Sequence, residues 1–524
     1  MFSRPQSTCL SYNSLFLIVK LLQMKGSFLF VILLAVVNSF AQQLPKSDSL
    51  RAVYLAHLKK VSNQFSDRYY PHRSEIYSLN EKQFLNKIDS LRKPFEKELA
   101  VYEQLVKGGD SKFISDEHRD IVYFFDGIIL DYPYFHETHT GKKTRLSVAT
   151  QAKLDAHLSD FNRPDLLTSR DVKSYIESYL RHQSSIELRK TVYKKSDNKR
   201  LDAYLTLLPV YFTNQQCKEY WQFHYINAHL EDWGSKHLET AVSKFLSTCT
   251  NERYKEIVDS VYREGVNGRK DHLIRTYKTV NGYDLDIHLF LPDSIDKKRK
   301  SPVMVYFSGG SWTKGNPEWA FYNCASYAKK GWVGVSVEYR LADRHETTPF
   351  EAVKDARSAI RWLRMNADKY AIDVNRIVAS GNSAGGHLVL TTALANEWNE
   401  PTDDLNVSAS PNLLLVNAGV YDLYAEEATD WVTRDLNDKN LAKKISPLHL
   451  MKNGLPPMLL IHGTNDRSVG YATAKAFADS MEKAANDFEF HTLEGAPHAI
   501  WFDGRYSGKV ATLRKAFLKK YGYE

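Results

Sequence analysis

The chain is poor in cysteine and has no metal-binding spacing. Its 524 residues include only four cysteines, and no CxxC pair or histidine-rich spacing occurs. We therefore expect neither a metal site nor any other cofactor. Cys217, Cys249 and Cys324 lie in the body of the chain, an odd number that allows one disulfide at most. Cys217 and Cys249 share a predicted helical region and are the better pair, although buried thiols would explain them equally well.

The chain also lacks a strong charge bias. A formal net charge of +8 is spread over 524 residues, of which 43% are hydrophobic and 25% charged. This balance favours a globular protein whose charge serves solubility, and it argues against a nucleic-acid partner. The length exceeds the usual size of one hydrophobic core, so we expect two domains.

Long hydrophobic runs are scarce, and the most apolar segment lies near the N-terminus. Ten apolar residues at 28–37 follow a basic start at Met24 and precede small residues that end at Ala41. This pattern is typical of a secretory signal peptide, here residues 1–41 with cleavage after Ala41. Ten residues are too few to cross a bilayer, although a second apolar run within residues 1–23 leaves a longer anchor as an alternative. We expect an exported protein, periplasmic or extracellular, without a stable membrane span.

Residues 42–268 have the apolar spacing of α-helices. Large apolar residues recur every three or four positions, and Pro94 is expected to begin a new helix. The clearest stripe consists of Phe84, Ile88, Leu91, Phe95, Leu99, Tyr102 and Leu105. Further stripes run over residues 172–180, 217–229 and 254–262. We predict a mainly α-helical domain over residues 42–268, in which no group of residues indicates a chemistry or identifies a partner.

Residues 269–524 follow a different pattern. Strand-like runs flank Asn281 and Gly282, a pair typical of a two-residue hairpin turn. Short β-rich runs then alternate with helical stretches such as residues 353–367. These runs are residues 303–307, 332–337, 377–380, 413–417, 458–461 and 488–493. The alternation predicts an α/β domain over residues 269–524, with a mostly parallel sheet and helices on both faces.

The most informative segment joins one of these strands to the helix that follows it. Residues 381–385 read Gly-Asn-Ser-Ala-Gly. A serine on a sharp strand-to-helix turn needs small residues two positions before and after it, because a Cβ there would collide with the chain folding back. The turn exposes the hydroxyl and directs the next N–H, that of Ala384, at the reacting oxygen. We therefore predict that Ser383 is a catalytic nucleophile rather than an ordinary turn residue.

Candidate partners of Ser383 follow later strands. Asp466 and His498 each come directly after a predicted strand, in the chain order Ser, Asp, His. Carboxyl ends of parallel strands meet at one edge of a sheet, so we expect the three side chains to form a catalytic triad. Asp422, which also follows a predicted strand, is an alternative acid. Three further histidines of this region, His345, His387 and His462, are interpreted as structural.

A loop upstream of the serine completes the candidate site. Residues 308–312 read Ser-Gly-Gly-Ser-Trp and follow a predicted buried strand. The backbone N–H groups of Gly309 and Gly310 would form an oxyanion hole with that of Ala384. The candidate residues for the substrate pocket are Trp312 and Asn382, with Trp319 close by in the sequence.

Together these residues resemble the α/β-hydrolase esterases of the acetyl esterase, hormone-sensitive-lipase-like and feruloyl-esterase-like type. The resemblance spans roughly residues 270–524 and rests on residues 337–342, 353–367, 381–388, 445–448 and 456–466. Where the family commonly has His-Gly-Gly-Gly-Trp, this chain has Ser-Gly-Gly-Ser-Trp, which keeps the two central glycines. The resemblance implies acyl transfer, in which Ser383 attacks, His498 carries the proton and Asp466 orients the imidazole.

We therefore predict an exported serine carboxylesterase that acts on small acyl or aryl esters. The resemblance extends this prediction to acetylated or feruloylated carbohydrate. A serine peptidase of the prolyl-peptidase type is one alternative, but such enzymes carry a β-propeller where this chain has a helical pattern. A second alternative is a binding protein with an inactive hydrolase fold, against which the intact serine, aspartate and histidine argue.

Overall fold

The computed structural model describes residues 46–293, 299–425, 432 and 439–523. The predicted signal peptide, with Met24 and the cleavage point after Ala41, lies outside these residues. Within the described ranges, none of the helices combines the length and the hydropathy that a bilayer crossing requires.

The chain forms two compact units. Among the described residues, the first contains residues 46–154 and 169–175, and the second contains residues 155–168 and those from 176 onward. The boundary predicted near residue 268 does not coincide with this division. The helices that follow residue 176 belong to the same unit as the sheet, which makes them part of the surroundings of the candidate site.

The first unit is helical. Its helices are α1 (Lys46–Tyr69), α2 (Arg73–Ser78), α3 (Glu81–Val106), α4 (Ser111–Leu130), α5 (Tyr132–Thr140) and α6 (Val148–Asp155). Aromatic rings from α1, α3 and α4 meet in its core. Phe65 contacts Phe95 and Phe125 edge to face, with ring centroids 6.0 and 5.7 Å away. Such pairs add to the hydrophobic gain from burying large rings.

The prediction that Pro94 begins a new helix is wrong, because α3 runs through it without a break. Proline in a helix interior costs about 3 kcal/mol, since it removes one hydrogen bond and crowds the preceding turn. The buried stripe continues on both sides of it, with Leu91, Phe95 and Leu99 facing the core. Burying each such side chain contributes about 1.5–3 kcal/mol, so the shared hydrophobic face outweighs the local cost.

The helical part of the second unit contains the other predicted stripes. Helix α7 (Arg170–Glu187) spans both units, and α8 (Lys199–Tyr211), α9 (Gln215–Trp233), α10 (Glu239–Thr248) and α11 (Glu252–Gly268) follow it. The helical stripes predicted over residues 172–180, 217–229 and 254–262 are therefore confirmed. Cys217, Cys249 and Cys324 are buried free thiols, so the bridge considered between Cys217 and Cys249 is not formed.

The sheet has eight strands, in the order β1-β2-β4-β3-β5-β6-β7-β8. They are β1 (Leu273–Val280), β2 (Tyr283–Phe290), β3 (Ser301–Phe307), β4 (Val333–Val337), β5 (Ile372–Asn382), β6 (Leu413–Asn417), β7 (Met458–Gly463) and β8 (Phe488–Leu493). Strand β2 is antiparallel to β1 and to β4, and the pairs from β4 to β8 are parallel. The mostly parallel sheet confirms the predicted fold class.

Helices cover both faces of the sheet. They are α12 (Phe321–Ala328), α13 (Ala342–His345), α14 (Pro349–Met365), α15 (Ala384–Leu394), α16 (Tyr471–Lys483) and α17 (Ser507–Lys520). One hydrophobic core contains side chains of α14, α15 and α16, and the other contains side chains of α12 and α17. Helix α14 confirms the helix predicted over residues 353–367.

A buried ion network fixes the chain that follows β4. Asp355 on α14 accepts two hydrogen bonds of 2.8 Å from the Arg340 guanidinium and one of 2.6 Å from Lys278. Glu400 also contacts both cations, at 2.7 Å from Arg340 and 2.6 Å from Lys278. Pairing every charge in this way is what makes their burial tolerable. Arg340 in turn fixes the position of Tyr339, which contacts the candidate oxyanion loop.

Candidate active site

Ser383 lies on a strained turn between β5 and α15. Strand β5 ends at Asn382, α15 begins at Ala384, and Ser383 has φ 54° and ψ −123°. A residue with a side chain adopts such a positive φ only where the surrounding structure enforces it. Here the N–H of Ser383 donates to the carbonyl of Asn417 at 3.1 Å, and its own carbonyl accepts from the N–H of His387 at 3.1 Å. The predicted strand-turn-helix arrangement is therefore present.

Glycines make this turn possible. A Cβ on Gly385 would lie 2.1 Å from the carbonyl oxygen of Phe307 at the end of β3. A Cβ on Gly381 would lie 2.3 Å from the backbone carbonyl carbon of Gly385. Both distances are shorter than any side chain allows, and the colliding atoms belong to the backbone and cannot rotate away. The turn thus requires glycine two positions before and two positions after Ser383, as predicted.

Asp466 and His498 form a hydrogen-bonded pair. The Oδ2 atom of Asp466 lies 2.7 Å from Nδ1 of His498. The Oδ1 atom accepts the backbone N–H groups of Ser468 and Val469, at 2.9 Å each. The bond at Nδ1 fixes the tautomer of His498 and leaves its Nε2 to face another group.

The surroundings of Asp466 keep it ionised. Desolvation raises its pKa, but hydrogen bonds from His462, His498 and the Val469 amide outweigh this and hold the pKa well below its usual value. A carboxyl group with a lowered pKa contributes stability that is complete above its unfolded value of about 3.9. That contribution is lost only as the pH falls toward the folded value. Asp466 is therefore a carboxylate at neutral pH.

A close backbone contact brings the Asp466 and His498 loops together. A Cβ on Gly463, the last residue of β7, would lie 2.2 Å from the carbonyl oxygen of Ala496. The N–H of Asn465 donates to the same carbonyl at 3.0 Å. Glycine is thus needed three residues before the acid, just as it is needed beside the serine.

The alternative acid, Asp422, has other partners. Its Oδ1 accepts the N–H groups of Tyr424 and Ala425, at 3.0 and 3.3 Å, and lies 3.2 Å from Nε2 of His449. The structure therefore pairs Asp466, and not Asp422, with His498.

Ser383 and His498 line one cavity of about 760 Å³. A volume of this size accommodates a ligand of several hundred daltons. The other predicted site residues on its wall are Gly309, Gly310, Trp312, Asn382 and Ala384. Asp466 is buried and reaches this cavity through His498. The structure therefore brings the predicted site residues together at the carboxyl edge of the sheet.

The candidate oxyanion loop has a tightly coiled backbone. Gly310 has a φ of 104°, and a Cβ there would lie 2.3 Å from the carbonyl oxygen of Lys314. Ser311 and Trp312 follow with φ values of 55° and 58°. These three consecutive residues with positive φ form a tight turn, in which the N–H groups of Thr313 and Lys314 both donate to the carbonyl of Gly310 at 3.1 Å.

Tyr339 holds this loop and was not recognised from the sequence as a site residue. Its buried hydroxyl donates to the carbonyl of Ser308 at 2.7 Å and lies 3.2 Å from that of Gly309. The family's loop commonly begins with histidine, and here a tyrosine from β4's end fixes the loop instead. The segment containing Tyr339 supported the family resemblance, but its contact with the loop is visible only in three dimensions.

The C-terminal end of α9 also supports the loop. The side chains of Asn316 and Trp319 donate to the carbonyl of Glu231, at 3.3 and 2.9 Å. The N–H of Gly315 donates to the carbonyl of Asp232 at 3.1 Å. The last carbonyls of a helix lack partners within it, and here the loop supplies them. Glu231 and Asp232 line the cavity as well, so the helical region contributes to the candidate site, which the sequence did not predict.

The remaining candidates have structural contacts. Trp312 is buried, and its ring lies 5.0 Å from that of His387 in an edge-to-face arrangement. Nε2 of His387 lies 2.7 Å from the carbonyl of Ile445, and desolvation lowers its pKa to about 4. Nδ1 of His345 accepts the N–H of Leu341 at 2.8 Å, and desolvation lowers the pKa of His345 to about 3. These contacts agree with a structural role for both histidines.

The parallel sheet, the turn at Ser383 and the Asp466–His498 pair define the α/β-hydrolase fold. Comparison with known proteins specifies the family. Residues 285–481 match the BD-FAE family model. The sheet-containing part of this chain is therefore similar to the α/β-hydrolase esterases.

Curated relatives include two esterases of Mycobacterium tuberculosis. Esterase LipC is 26% identical over 245 residues, which are 42% of this chain and 59% of LipC. Esterase LipQ is 30% identical over 218 residues, which are 38% of this chain and 51% of LipQ. The chain thus spans about half to three fifths of the length of these relatives.

A solved structure with a similar sequence is the apo form of Thermogutta terrifontis esterase 2. It is 33% identical to this chain, and the match covers 49% of this chain and 96% of that esterase, with a TM-score of 0.46.

Replacement of Gly385 by alanine tests the backbone contact at the turn. We expect Gly385→Ala to lower the free energy of unfolding by ~1–3 kcal/mol, because its Cβ must displace the backbone at Phe307. Gly508→Ala is the matched control, since nothing lies within 4 Å of a Cβ there. In helix α17 this change should stabilise the protein by up to ~1 kcal/mol. Urea denaturation followed by circular dichroism measures both, and equal stability of the two variants would contradict the assignment.

Proposed function

We propose that this protein is a serine carboxylic-ester hydrolase that works through an acyl-enzyme. The proposal depends on one observation: Ser383 is presented by a strained turn to the same cavity as His498, whose Nδ1 is held by Asp466. The esterase relatives support the same class of reaction.

In the proposed reaction each group has a role. His498 Nε2 takes the proton of the Ser383 hydroxyl as the oxygen attacks the ester carbonyl. Asp466 keeps the imidazole in the required tautomer and stabilises its charged form. His498 then protonates the leaving alkoxide. Water, activated by the same imidazole, attacks the acyl-enzyme and releases the acid.

Backbone amides would stabilise the developing oxyanion. The N–H of Ala384 lies at the first position of α15, where a helix offers no internal acceptor and carries a partial positive charge. The N–H groups of Gly309 and Gly310 would join it from the coiled loop on the cavity wall. Each preorganised donor of this kind contributes roughly 3 kcal/mol to stabilising the transition state.

We place the substrate among small acyl or aryl esters. A cavity of about 760 Å³ has room for both an acyl group and an aryl or sugar alcohol. The extension to acetylated or feruloylated carbohydrate is supported by the family resemblance.

Hydrolysis of 4-nitrophenyl esters from acetate to laurate tests the reaction. We expect turnover of the short esters, and a fall in kcat by a factor of ~10⁴–10⁶ in Ser383→Ala. Ser468→Ala is the matched control, because it removes a hydroxyl from the same cavity wall and keeps the backbone N–H that binds Asp466. A fluorophosphonate should form an adduct at Ser383, detected by mass spectrometry. Absence of both turnover and adduct in the folded protein would sink the proposal.

Asparagine substitutions distinguish the two candidate acids. We expect Asp466→Asn to lower kcat by a factor of ~10³–10⁴ with little change in KM, because the amide imposes the wrong imidazole tautomer. Asp422→Asn should change kcat less than ~tenfold, since Asp422 contacts His449. Steady-state kinetics on one ester decides between them, and the reverse order of effects would assign the acid to Asp422.

We further propose that the protein is exported, on the strength of the signal-peptide pattern that ends at Ala41. When the full chain is expressed in a bacterial host, the mature protein outside the cytoplasm should begin at Gln42. N-terminal sequencing of each cell fraction measures this, with a chain that starts at Gln42 as the cytoplasmic control. Full-length protein retained in the cytoplasm would contradict export.

A further inference from the structure

We propose that Arg514 binds a carboxylate of the substrate, so that the preferred esters carry a negative charge on their acyl or alcohol part. This inference rests on the proposed esterase function, because Arg514 lines the cavity that holds Ser383 and His498. It adds a charge requirement that the fold and the catalytic residues do not themselves imply.

Helix α17 presents Arg514 to the cavity as part of a continuous stripe. Ser507, Val510, Ala511 and Arg514 all line the wall. Their spacing of three, one and three residues places them on one helix face. The helix thus contributes small and apolar side chains along its first two turns and a guanidinium at the end of the stripe.

Arg514 interacts with two tyrosine hydroxyls, those of Tyr306 and Tyr327. Its Nη2 donates to the Tyr306 hydroxyl at 3.3 Å, and its guanidinium carbon lies 5.8 Å from the centroid of the Tyr306 ring. Burial raises the pKa of Tyr306, so the phenol carries no charge that could balance the arginine. Among the described residues, no carboxylate forms an ion pair with Arg514. The buried Arg340, in contrast, pairs with two carboxylates.

The acidic side chains on the cavity wall accept hydrogen bonds from residues other than Arg514. Asp232 accepts from Lys314 Nζ at 2.7 Å, and the carboxylate of Glu231 accepts from the side chain of Asn227 at 2.8 Å. Both acids belong to α9, whereas Arg514 belongs to α17. Among the described lining residues, Arg514 is therefore a cation without an acidic partner, in a partly desolvated position. A guanidinium offers paired N–H donors that match a carboxylate in geometry and in charge.

An apolar surface connects the catalytic histidine to α17. The ring of Trp501 lies 5.5 Å from that of His498, and Trp501 packs against the hydrophobic cluster that contains Val510. Phe502 lines the cavity beside it. A substrate that reaches Arg514 from the serine therefore passes an aromatic and aliphatic wall. The matching ligand is an ester whose carboxylate is separated from the ester group by an apolar or aryl spacer.

Matched substrate pairs test this requirement and locate the charge. On the acyl side, mono-4-nitrophenyl glutarate is compared with 4-nitrophenyl pentanoate. On the alcohol side, 4-acetoxybenzoate is compared with 4-acetoxybenzamide. We expect the anionic member of one pair to have a kcat/KM higher by about tenfold or more. Arg514→Gln should abolish this preference and change the rate on the neutral ester less than ~threefold.

Two further variants make the test specific. Lys515→Gln removes an exposed positive charge from the same helix and should leave the preference intact. Arg514→Lys keeps the charge without the paired donors and should retain part of the preference. Inhibition of neutral-ester hydrolysis by benzoate but not by benzamide gives a readout on the wild type that requires no variant to fold.

The outcomes separate this inference from the proposed function. Turnover of neutral esters with no anionic preference in either pair, and no inhibition by benzoate, would overturn the role of Arg514 and leave the esterase proposal standing. An equal fall on charged and neutral esters in Arg514→Gln would assign Arg514 a structural role and overturn the inference. Absence of turnover on every ester, with no fluorophosphonate adduct at Ser383, would overturn both.

Discussion

The candidate site depends on two places where backbone meets backbone without room for a side chain. At the end of β5, Gly385 lies so close to the carbonyl of Phe307 that a Cβ would come within 2.1 Å of it. At the end of β7, Gly463 lies equally close to the carbonyl of Ala496. The first contact fixes the serine turn against the strand that leads into the oxyanion loop. The second fixes the loop of Asp466 against that of His498. Because each contact packs a turn or loop directly against a strand of the sheet, the sheet holds the candidate groups rigidly.

Much of the catalytic half follows from local sequence signals. Strands and turns are marked by β-rich runs and glycine pairs, and chain order then places the serine, aspartate and histidine at one edge of a parallel sheet. Contacts between segments that are distant in the sequence leave no comparable pattern in the sequence. The hydroxyl of Tyr339 holds the loop at Ser308, and the end of α9 supports the same loop from another part of the chain. Pro94 is a case in which the local signal misleads. Proline disfavours a helix interior, but the helix continues through Pro94 because the residues on both sides of it bury one hydrophobic face.

The two candidate acids can be distinguished by their contacts in the folded protein and not by their positions in the sequence. Asp422 and Asp466 both follow strands and both accept backbone N–H groups, so sequence spacing leaves them equivalent. They differ in the histidines that they contact, His449 for Asp422 and both His462 and His498 for Asp466. The backbone contact between Gly463 and Ala496 lies beside the Asp466–His498 pair and joins the two loops that carry it. A carboxylate surrounded by several donors stays ionised, which suits a group that must stabilise an imidazolium without accepting its proton.

The walls of the cavity come from segments that flank the sheet in sequence. Helix α9 contributes Glu231 and Asp232, and α17 contributes Arg514. The acids are engaged by Asn227 and Lys314, whereas the partners of the arginine among the described residues are the hydroxyls of Tyr306 and Tyr327. A charge in a partly desolvated position costs free energy unless an opposite charge reaches it. In the proposed reaction the serine, the histidine and the amides act on the ester group, so none of them requires such a charge. Under the proposed function, we therefore assign the guanidinium of Arg514 to the selection of substrates that carry a carboxylate.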